Sequence, residues 1–321
     1  LRSHARLDRA AVIPLARNTT SSEMEGSMDQ RFPPRVLQVG AATVTIITCG
    51  VGRWVMSASM RPPIGAWREE DLALLDRSAP APFQCVHIAT GDASVVVDTM
   101  DLAEYLAAHG WPVRLSHVIT PRLDTQLGAL GLAAGAITHV ILTHAHDDHY
   151  NIATIQESRS GRREPLFPAA TYLAGQADWT PDGQRAIHDA QPEDERLPAG
   201  PERYMAEPLR RGMVRLLAGD GDVAPGVRLL LAPGETPGHV IVRVHSEGQT
   251  LYCLGDLFHH PFEVEHQEWM PVWAEPATNR ASRAALIAAA LAEDALLVAA
   301  HIPGVGRLRQ DADGARWEPV S

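Results

Sequence analysis

The sequence predicts a layered α/β fold, and three observations carry that expectation. Short β-branched runs punctuated by Gly, Pro and Asp alternate with stretches of helical spacing through the first half of the chain. A second series of short apolar runs follows a long polar segment and closes with an Ala-rich helix and one more apolar run. Histidine and aspartate recur where those apolar runs stop, as they do when one edge of a sheet carries the chemistry. At 321 residues the chain can form one large or two ordinary domains, and a single catalytic domain is the economical reading.

Residues 1–35 read as a polar, Arg-containing surface arm without the apolar stretch of a signal peptide, and as the segment a homodimer would share. The catalytic domain is expected over 36–321. Residues 36–48 and 85–90 predict strands. Val95-Val96-Val97 predicts a buried strand ending at Asp98-Thr99, and 102–109 and 123–132 have helical spacing. Residues 159–208, rich in Pro, Asp, Glu and Arg, read as an insertion over one face. Strands are expected again at 227–231, 240–245, 250–254 and 296–300, with an Ala-rich helix over about 280–293 before the last.

The formal charge of −11 argues against a nucleic-acid partner, because phosphate binding needs a concentrated basic surface. All 28 basic residues are arginine, which excludes lysine Schiff-base and lysine general-base chemistry. No run approaches the roughly 20 apolar residues of a membrane span. Cys49, Cys85 and Cys253 are scattered and lack CxxC spacing, so neither a disulfide framework nor a thiolate metal site is indicated, and a reducing cytoplasm fits.

The densest chemistry lies in Thr143-His144-Ala145-His146-Asp147-Asp148-His149, directly after the apolar run Ile137-Thr138-His139-Val140-Ile141-Leu142. Imidazole and carboxylate are the ligands of zinc and its first-row neighbours, and alternate residues beyond a strand end aim two rings at one ion. Three further donors stand in similar places: His239 in Glu235-Thr236-Pro237-Gly238-His239, Asp256 in Leu254-Gly255-Asp256, and His301 after Val298-Ala299-Ala300. A single histidine among 15 says little. The set in this order says more.

On those residues the chain resembles the metallo-β-lactamase superfamily, whose His-x-His-x-Asp-His motif is matched by His144, His146, Asp148 and His149, with the later motifs at His239, Asp256 and His301. The resemblance runs from about Val36 to the C-terminus. It implies an αββα sandwich, two mixed β-sheets face to face with helices outside. It also implies two divalent ions, zinc in the first instance with iron, cobalt or manganese as alternatives. His144, His146 and His239 would hold the first ion, Asp148, His149 and His301 the second, and Asp256 would bridge them. Two ions about 3.5–4 Å apart would generate a bridging hydroxide as nucleophile and polarise a substrate oxygen, and Asp148 would shuttle the proton. Asp147 is expected to be solvated or to hydrogen-bond behind a ligand.

The run Gly255-Asp256-Leu257-Phe258-His259-His260-Pro261 and the ending Ala300-His301-Ile302-Pro303-Gly304-Val305-Gly306 resemble the branch that contains quorum-quenching lactonases and methyl parathion hydrolase. Only 20 residues follow His301, which disfavours the helical C-terminal domain of glyoxalase II. The expected reaction is hydrolysis of a small-molecule lactone, or of a related carboxylic ester or phosphotriester. A glyoxalase II-like thioesterase and a mono-iron persulfide dioxygenase are the alternatives, and a metal-stabilised binding module is the non-enzymatic one. Two positions depart from the family pattern: Met100 replaces a glycine after Asp98-Thr99, and Tyr150-Asn151-Ile152 replaces a Gly-Gly pair. Tyr150 is a candidate donor to substrate or a packing residue, and His259 and His260 are candidate outer partners of the ligands or exposed loop residues. Phe258, Phe262, Trp269 and Trp273 are candidates for an apolar pocket, with core packing the stronger reading for each. Glu275 and Arg283 are expected to be structural.

Overall fold

The 36–48 run is broken at Gly40, which lies in the left-handed region at φ +56° and turns the chain into a hairpin of Arg35–Val39 against Ala42–Trp54. The structure is a computed structural model that describes residues 32–320 apart from 63–64, 158–159, 198–199 and 313. Nearly all of the expected arm, and with it the expected dimer contact, lies outside those residues. The hairpin opens a seven-stranded sheet that continues through Ala79–Thr90, Ala93–Val97, His139–Leu142, Thr171–Gly175 and Val214–Leu217. Its first four strands pair antiparallel and its last three junctions are parallel.

Thr171–Gly175 is an inner strand, parallel to His139–Leu142 on one side and to Val214–Leu217 on the other. It falls inside the stretch read from sequence as an insertion, so that stretch supplies part of the sheet as well as the helices Pro181–Ala190, Gly200–Tyr204 and Ala206–Arg210. The second seven-stranded sheet runs Gly221–Ala224, Val227–Leu231, Val240–Ser246, Gln249–Cys253, Leu296–Val298, Val305–Asp311 and Gly314–Val320. Only its Gln249–Cys253 and Leu296–Val298 pair is parallel.

Alternation along the strands sorts side chains into layers, because successive residues point to opposite faces. Val95, Val97 and Ile141 meet Val240, Val242 and Val298 between the sheets. Val96, Val140 and Leu142 face outward, against Leu102 and Leu106 of the helix Leu102–Ala108 and Leu123 and Leu127 of Leu123–Ala129. On the far side, Leu286, Ile287 and Ala290 of the helix Pro276–Ala292 cover Ile241, Tyr252 and Leu297. The order is helix, sheet, sheet, helix. Pro276–Ala292 starts four residues before the expected 280, because Glu275 caps it by accepting from the backbone of Ala277 and Thr278. Among the described residues no helix is long and apolar enough to cross a membrane.

Several anticipated site residues belong to this core. Phe258, Phe262 and Trp269 are buried in it, and Tyr150 is 1% exposed with its ring against Trp179 and Tyr204. Met100 fills the position of the missing glycine, fully buried, with its N–H toward the Cys85 thiol. Asn151 accepts from Asp101 N–H and donates to its carbonyl, closing the loop where a Gly-Gly pair was expected. All three cysteines are buried free thiols.

One buried histidine far from the clustered ones makes stability depend on pH. Burial drops His87 to about 4, and its ring meets the Ser94 hydroxyl at 2.8 Å. The unfolded chain protonates near its ordinary value of 6.5. Between those values the unfolded state holds more protons, so the stability is fully present above 6.5 and falls as pH drops towards about 4. The loss is on the order of 3 kcal/mol across the window. Chelator-treated wild type and His87→Gln, compared by urea unfolding at pH 7 and pH 5, should differ by about 2 kcal/mol less at the lower pH. A constant difference would remove His87 as the source.

Candidate metal centre

One edge of the two sheets gathers the donors. The chain leaves His139–Leu142 into His144 and His146 and then a 3₁₀ turn, Asp147–His149. His239 immediately precedes Val240–Ser246, Asp256 follows Gln249–Cys253, and His301 follows Leu296–Val298. Backbone hydrogen bonds stitch the loops across the edge: Val240 N–H to Thr143 carbonyl at 2.8 Å, Ala300 N–H to Gly255 carbonyl at 3.0 Å, and Gln84 N–H to Ala300 carbonyl at 3.1 Å. Gly255, at φ +52°, has no room for a side chain, since a Cβ there would stand 2.7 Å from Thr143 and 2.9 Å from His239 Nε2.

Two groups of donor atoms result, each within 4.8 Å: His144, His146, Glu235 and Asp256, and Asp148, His149 and His301. Asp256 touches both. Its Oδ1 lies 3.3 Å from His149 Nε2, and its Oδ2 lies 3.5 Å from His301 Nε2 and 3.9 Å from His144 Nε2. Asp148 Oδ2 is 3.2 Å from His301 Nε2 and 3.6 Å from His149 Nε2.

Outer hydrogen bonds fix which ring nitrogen faces inward. Acceptors take the Nδ1–H of His149 (Asp98 Oδ2, 2.9 Å), His301 (Pro82 carbonyl, 2.9 Å) and His239 (Ala232 carbonyl, 3.1 Å). The Nε2 lone pairs of His149 and His301 are thereby turned toward a ligand role, whereas that of His239 accepts the Asp256 backbone N–H. His239 Nε2 stands 3.2 Å from the Asp256 backbone N–H and its ring 5.1 Å from that of His144, beside the first group rather than within it. His146 presents Nδ1, 2.9 Å from His144 Nε2. Asp98 also accepts from the N–H and hydroxyl of Thr143 and so braces the loop, and its own backbone lies at φ +60°, a conformation costly for a residue with a side chain.

The local field separates the histidines. Burial pushes His239 down to about 4 and His144 well below its ordinary value. Burial acts the same way on His149, but Asp256, Asp148 and Asp98 outweigh it and raise that ring well above its usual range. Burial would raise Asp256 too, yet His149, His301 and His259 hold it well below the carboxylate range.

His259 and Glu235 lie deep in the site. His259 is 2% exposed, with Nε2 3.3 Å from Asp256 Oδ2 and 3.5 Å from Glu235 Oε1, which settles its alternatives against an exposed loop residue. His260 turns away and packs its ring on Phe262 at 4.1 Å. Asp147 hydrogen-bonds His109 at 3.0 Å behind the loop. Trp273 is partly exposed, stacked on Trp54 at 6.3 Å and 6.0 Å from the His146 ring, so it is the anticipated aromatic that does border the site. Trp54, 5.2 Å from His259, was not anticipated. Nor was Asp178, buried, whose carboxylate accepts from Ala145 N–H, the Thr236 hydroxyl and Gly238 N–H and so ties the two ligand loops together. Its neighbours in sequence give no sign of that role.

A bound cation would satisfy what the protein leaves unsatisfied. His149 Nε2, Asp256 Oδ1, Glu235 Oε2 and both ring nitrogens of His259 are buried without a hydrogen-bond partner. Buried polar atoms are normally paired, and these five lie among imidazoles and carboxylates, a donor set suited to divalent ions.

Sheet order, layers and loop edge are those of the metallo-β-lactamase fold. No family model matches the sequence. Among solved structures, AidC, a dizinc quorum-quenching lactonase in complex with a product, N-hexanoyl-L-homoserine, superposes with a TM-score of 0.71 at 20% identity, covering 90% of this chain and 97% of AidC. The hydrolase AbOPH of the β-lactamase superfamily gives 0.71 at 16%, covering 91% and 99%. An N-acyl homoserine lactone hydrolase with N-hexanoyl-L-homoserine at its catalytic metal centre gives 0.56 at 18%, covering 83% and 95%. In sequence, metallo-beta-lactamase domain-containing protein 1 of Xenopus laevis is 26% identical over 158 residues, 49% of this chain. The match spans 52% of that relative's length.

Proposed function

We propose that the chain is a metal-dependent hydrolase that uses a dinuclear centre to open a lactone or cleave a related carboxylic ester or phosphotriester. The observation that carries this reading is Asp256, whose two oxygens face both donor groups at the bottom of one sheet edge. His144, His146 and His239 would hold one ion and Asp148, His149 and His301 the other, with Asp256 shared. Zinc is the metal proposed first, by analogy with AidC. Bound divalent ions supply Lewis acidity for the scissile carbonyl and make water acidic enough to act as a nucleophile near neutral pH.

The protein supplies the rest. Burial would raise Asp148, but His149 and His301 outweigh it and keep the carboxylate ionised, able to accept a proton and return it to a leaving oxygen. Trp54 and Trp273 form an aromatic wall beside His146 and His259, suited to the acyl chain or ring of a small ester. The structural relatives that hold N-hexanoyl-L-homoserine favour a lactone of that kind. The deciding experiment is elemental analysis of the purified protein beside hydrolysis of lactones, aryl esters, phosphotriesters and glutathione thioesters. About two metals per chain with lactone or ester turnover supports the reading. One iron and no hydrolysis overturns it, and turnover confined to the thioester replaces the substrate class.

Asp98 offers a separate check through His149. Asp98→Asn keeps the size but cannot accept simultaneously from Thr143 and His149, so the ring loses its fixed tautomer. Metal affinity should fall about 10- to 100-fold, as it does when outer partners of ligands are lost. A chelator-competition titration with wild-type affinity would show that Asp98 braces only the loop.

A further inference from the structure

We propose that Glu235 is itself a ligand of the first ion, a role outside the His and Asp set described above. The inference rests on the metal-centre reading, and its test separates the two. Glu235 is 2% exposed, and its donor oxygen lies within 4.8 Å of donors on His144, His146 and Asp256. Oε1 stands 3.5 Å from His146 Nδ1 and 3.5 Å from His259 Nε2, and it accepts the indole N–H of Trp273. Oε2 is buried with no hydrogen-bond partner.

A structural role accounts for only part of that arrangement. A carboxylate taken out of water needs cations or several donors, and Glu235 has one indole N–H and two imidazoles at ion-pair rather than hydrogen-bond distance. The buried guanidinium of Arg283 is already paired, with Glu263. The backbone fixes the carboxylate in place: Asp178 pins the Thr236–Gly238 turn directly after it, and Gly234, at φ +132°, packs its Cα so closely on Asn279 that a Cβ would come within 2.3 Å. Trp273 orients Oε1, the oxygen that faces His146 and His259, and Oε2 is left buried without a partner. Two carboxylates in the first group, Glu235 and Asp256, make it richer in hard oxygen than a three-histidine site, which favours manganese or iron more than such a site would.

The test uses the full-length protein stripped with chelator and titrated with zinc and, separately, with manganese against a competing indicator. Glu235→Gln keeps the volume and the Trp273 hydrogen bond while removing the charge, and circular dichroism and thermal melting confirm that it folds. Trp273→Phe, which removes the orienting donor while keeping an aromatic ring, is the second variant. The expected result is two zinc equivalents for wild type, with one weakened at least 100-fold in Glu235→Gln because a lost ligand should exceed the 10- to 100-fold cost of a lost outer partner. The loss should be larger for manganese than for zinc, and Trp273→Phe should fall between variant and wild type. Two equivalents of wild-type affinity in Glu235→Gln would overturn the proposal while leaving the dinuclear reading intact. One equivalent in wild type, weakened in Glu235→Gln, would support the ligand and overturn the dinuclear reading; no binding by wild type would overturn both.

Discussion

Asp256→Ala is expected to abolish hydrolysis, with a fall of roughly 10³-fold or more, and to lower the metal content below two per chain. Asp256 faces His149, His301, His259 and His144 at once, and among the described residues no other carboxylate is grouped with donors of both sets. Its removal leaves four imidazoles crowded around an empty volume, so the surviving group binds one ion without the partner that the proposed chemistry requires. Asp147→Asn is the matched control. It removes a carboxylate charge from the adjacent 144–149 loop, yet Asp147 meets His109 behind the site and should cost far less activity. Retained turnover in Asp256→Ala would sink the dinuclear mechanism, and equal losses in both variants would assign the effect to negative charge near the site rather than to the shared carboxylate.

The residues that the sequence makes conspicuous and those that it conceals differ in how local their signal is. His144, His146, Asp148 and His149 stand together after an uninterrupted apolar strand, so period and chemistry mark the same seven residues. Asp256 and His301 follow apolar runs in the same way. Glu235 carries no such mark: a glutamate in a Pro-Gly turn reads as surface, and only the packing of that turn on Asp178 and Asn279 brings it to His146. Asp178 is hidden for the same reason, 33 residues from one partner and 60 from another. The strand Thr171–Gly175 is short and flanked by Pro and charged residues, and its partners are separated from it by tens of residues, so local composition outweighed its apolar Tyr172-Leu173-Ala174 centre. The closing hairpin of Val305–Asp311 and Gly314–Val320 was not anticipated either. Its buried Leu308, Ala315 and Trp317 alternate with exposed Arg309 and Arg316, a one-sided strand whose charges dilute the apolar signal.

Arg283→Met is expected to cost about 3–5 kcal/mol of stability, the range for breaking a buried ion pair from one side. The guanidinium is fully buried in the helix Pro276–Ala292. It donates to the carbonyls of Leu257 at 2.9 Å and Trp269 at 2.6 Å, and to Glu263 Oε1 at 2.5 Å. Glu263 in turn accepts from the backbone N–H of His259 and His260. Burial would raise Glu263, but Arg283 and His259 outweigh it and hold the carboxyl at about 2, so a charge, not a neutral acid, sits in the core. Methionine fills much of the volume and adds apolar contact with Phe258, over whose ring the guanidinium lies at 5.0 Å. What it cannot do is compensate the carboxylate or the carbonyls. The pair Arg283→Met with Glu263→Gln should therefore be more stable than Arg283→Met alone, because the uncompensated charge leaves with its partner. Urea unfolding of Arg283→Met, Glu263→Gln and the double variant measures this directly. Additive losses would mean that the two residues act through separate contacts, and a loss under about 1 kcal/mol for Arg283→Met would mean that water replaces the guanidinium without penalty. The same anchor fixes the Leu257–Trp269 segment that carries His259 toward Asp256, so metal affinity should fall with stability in Arg283→Met.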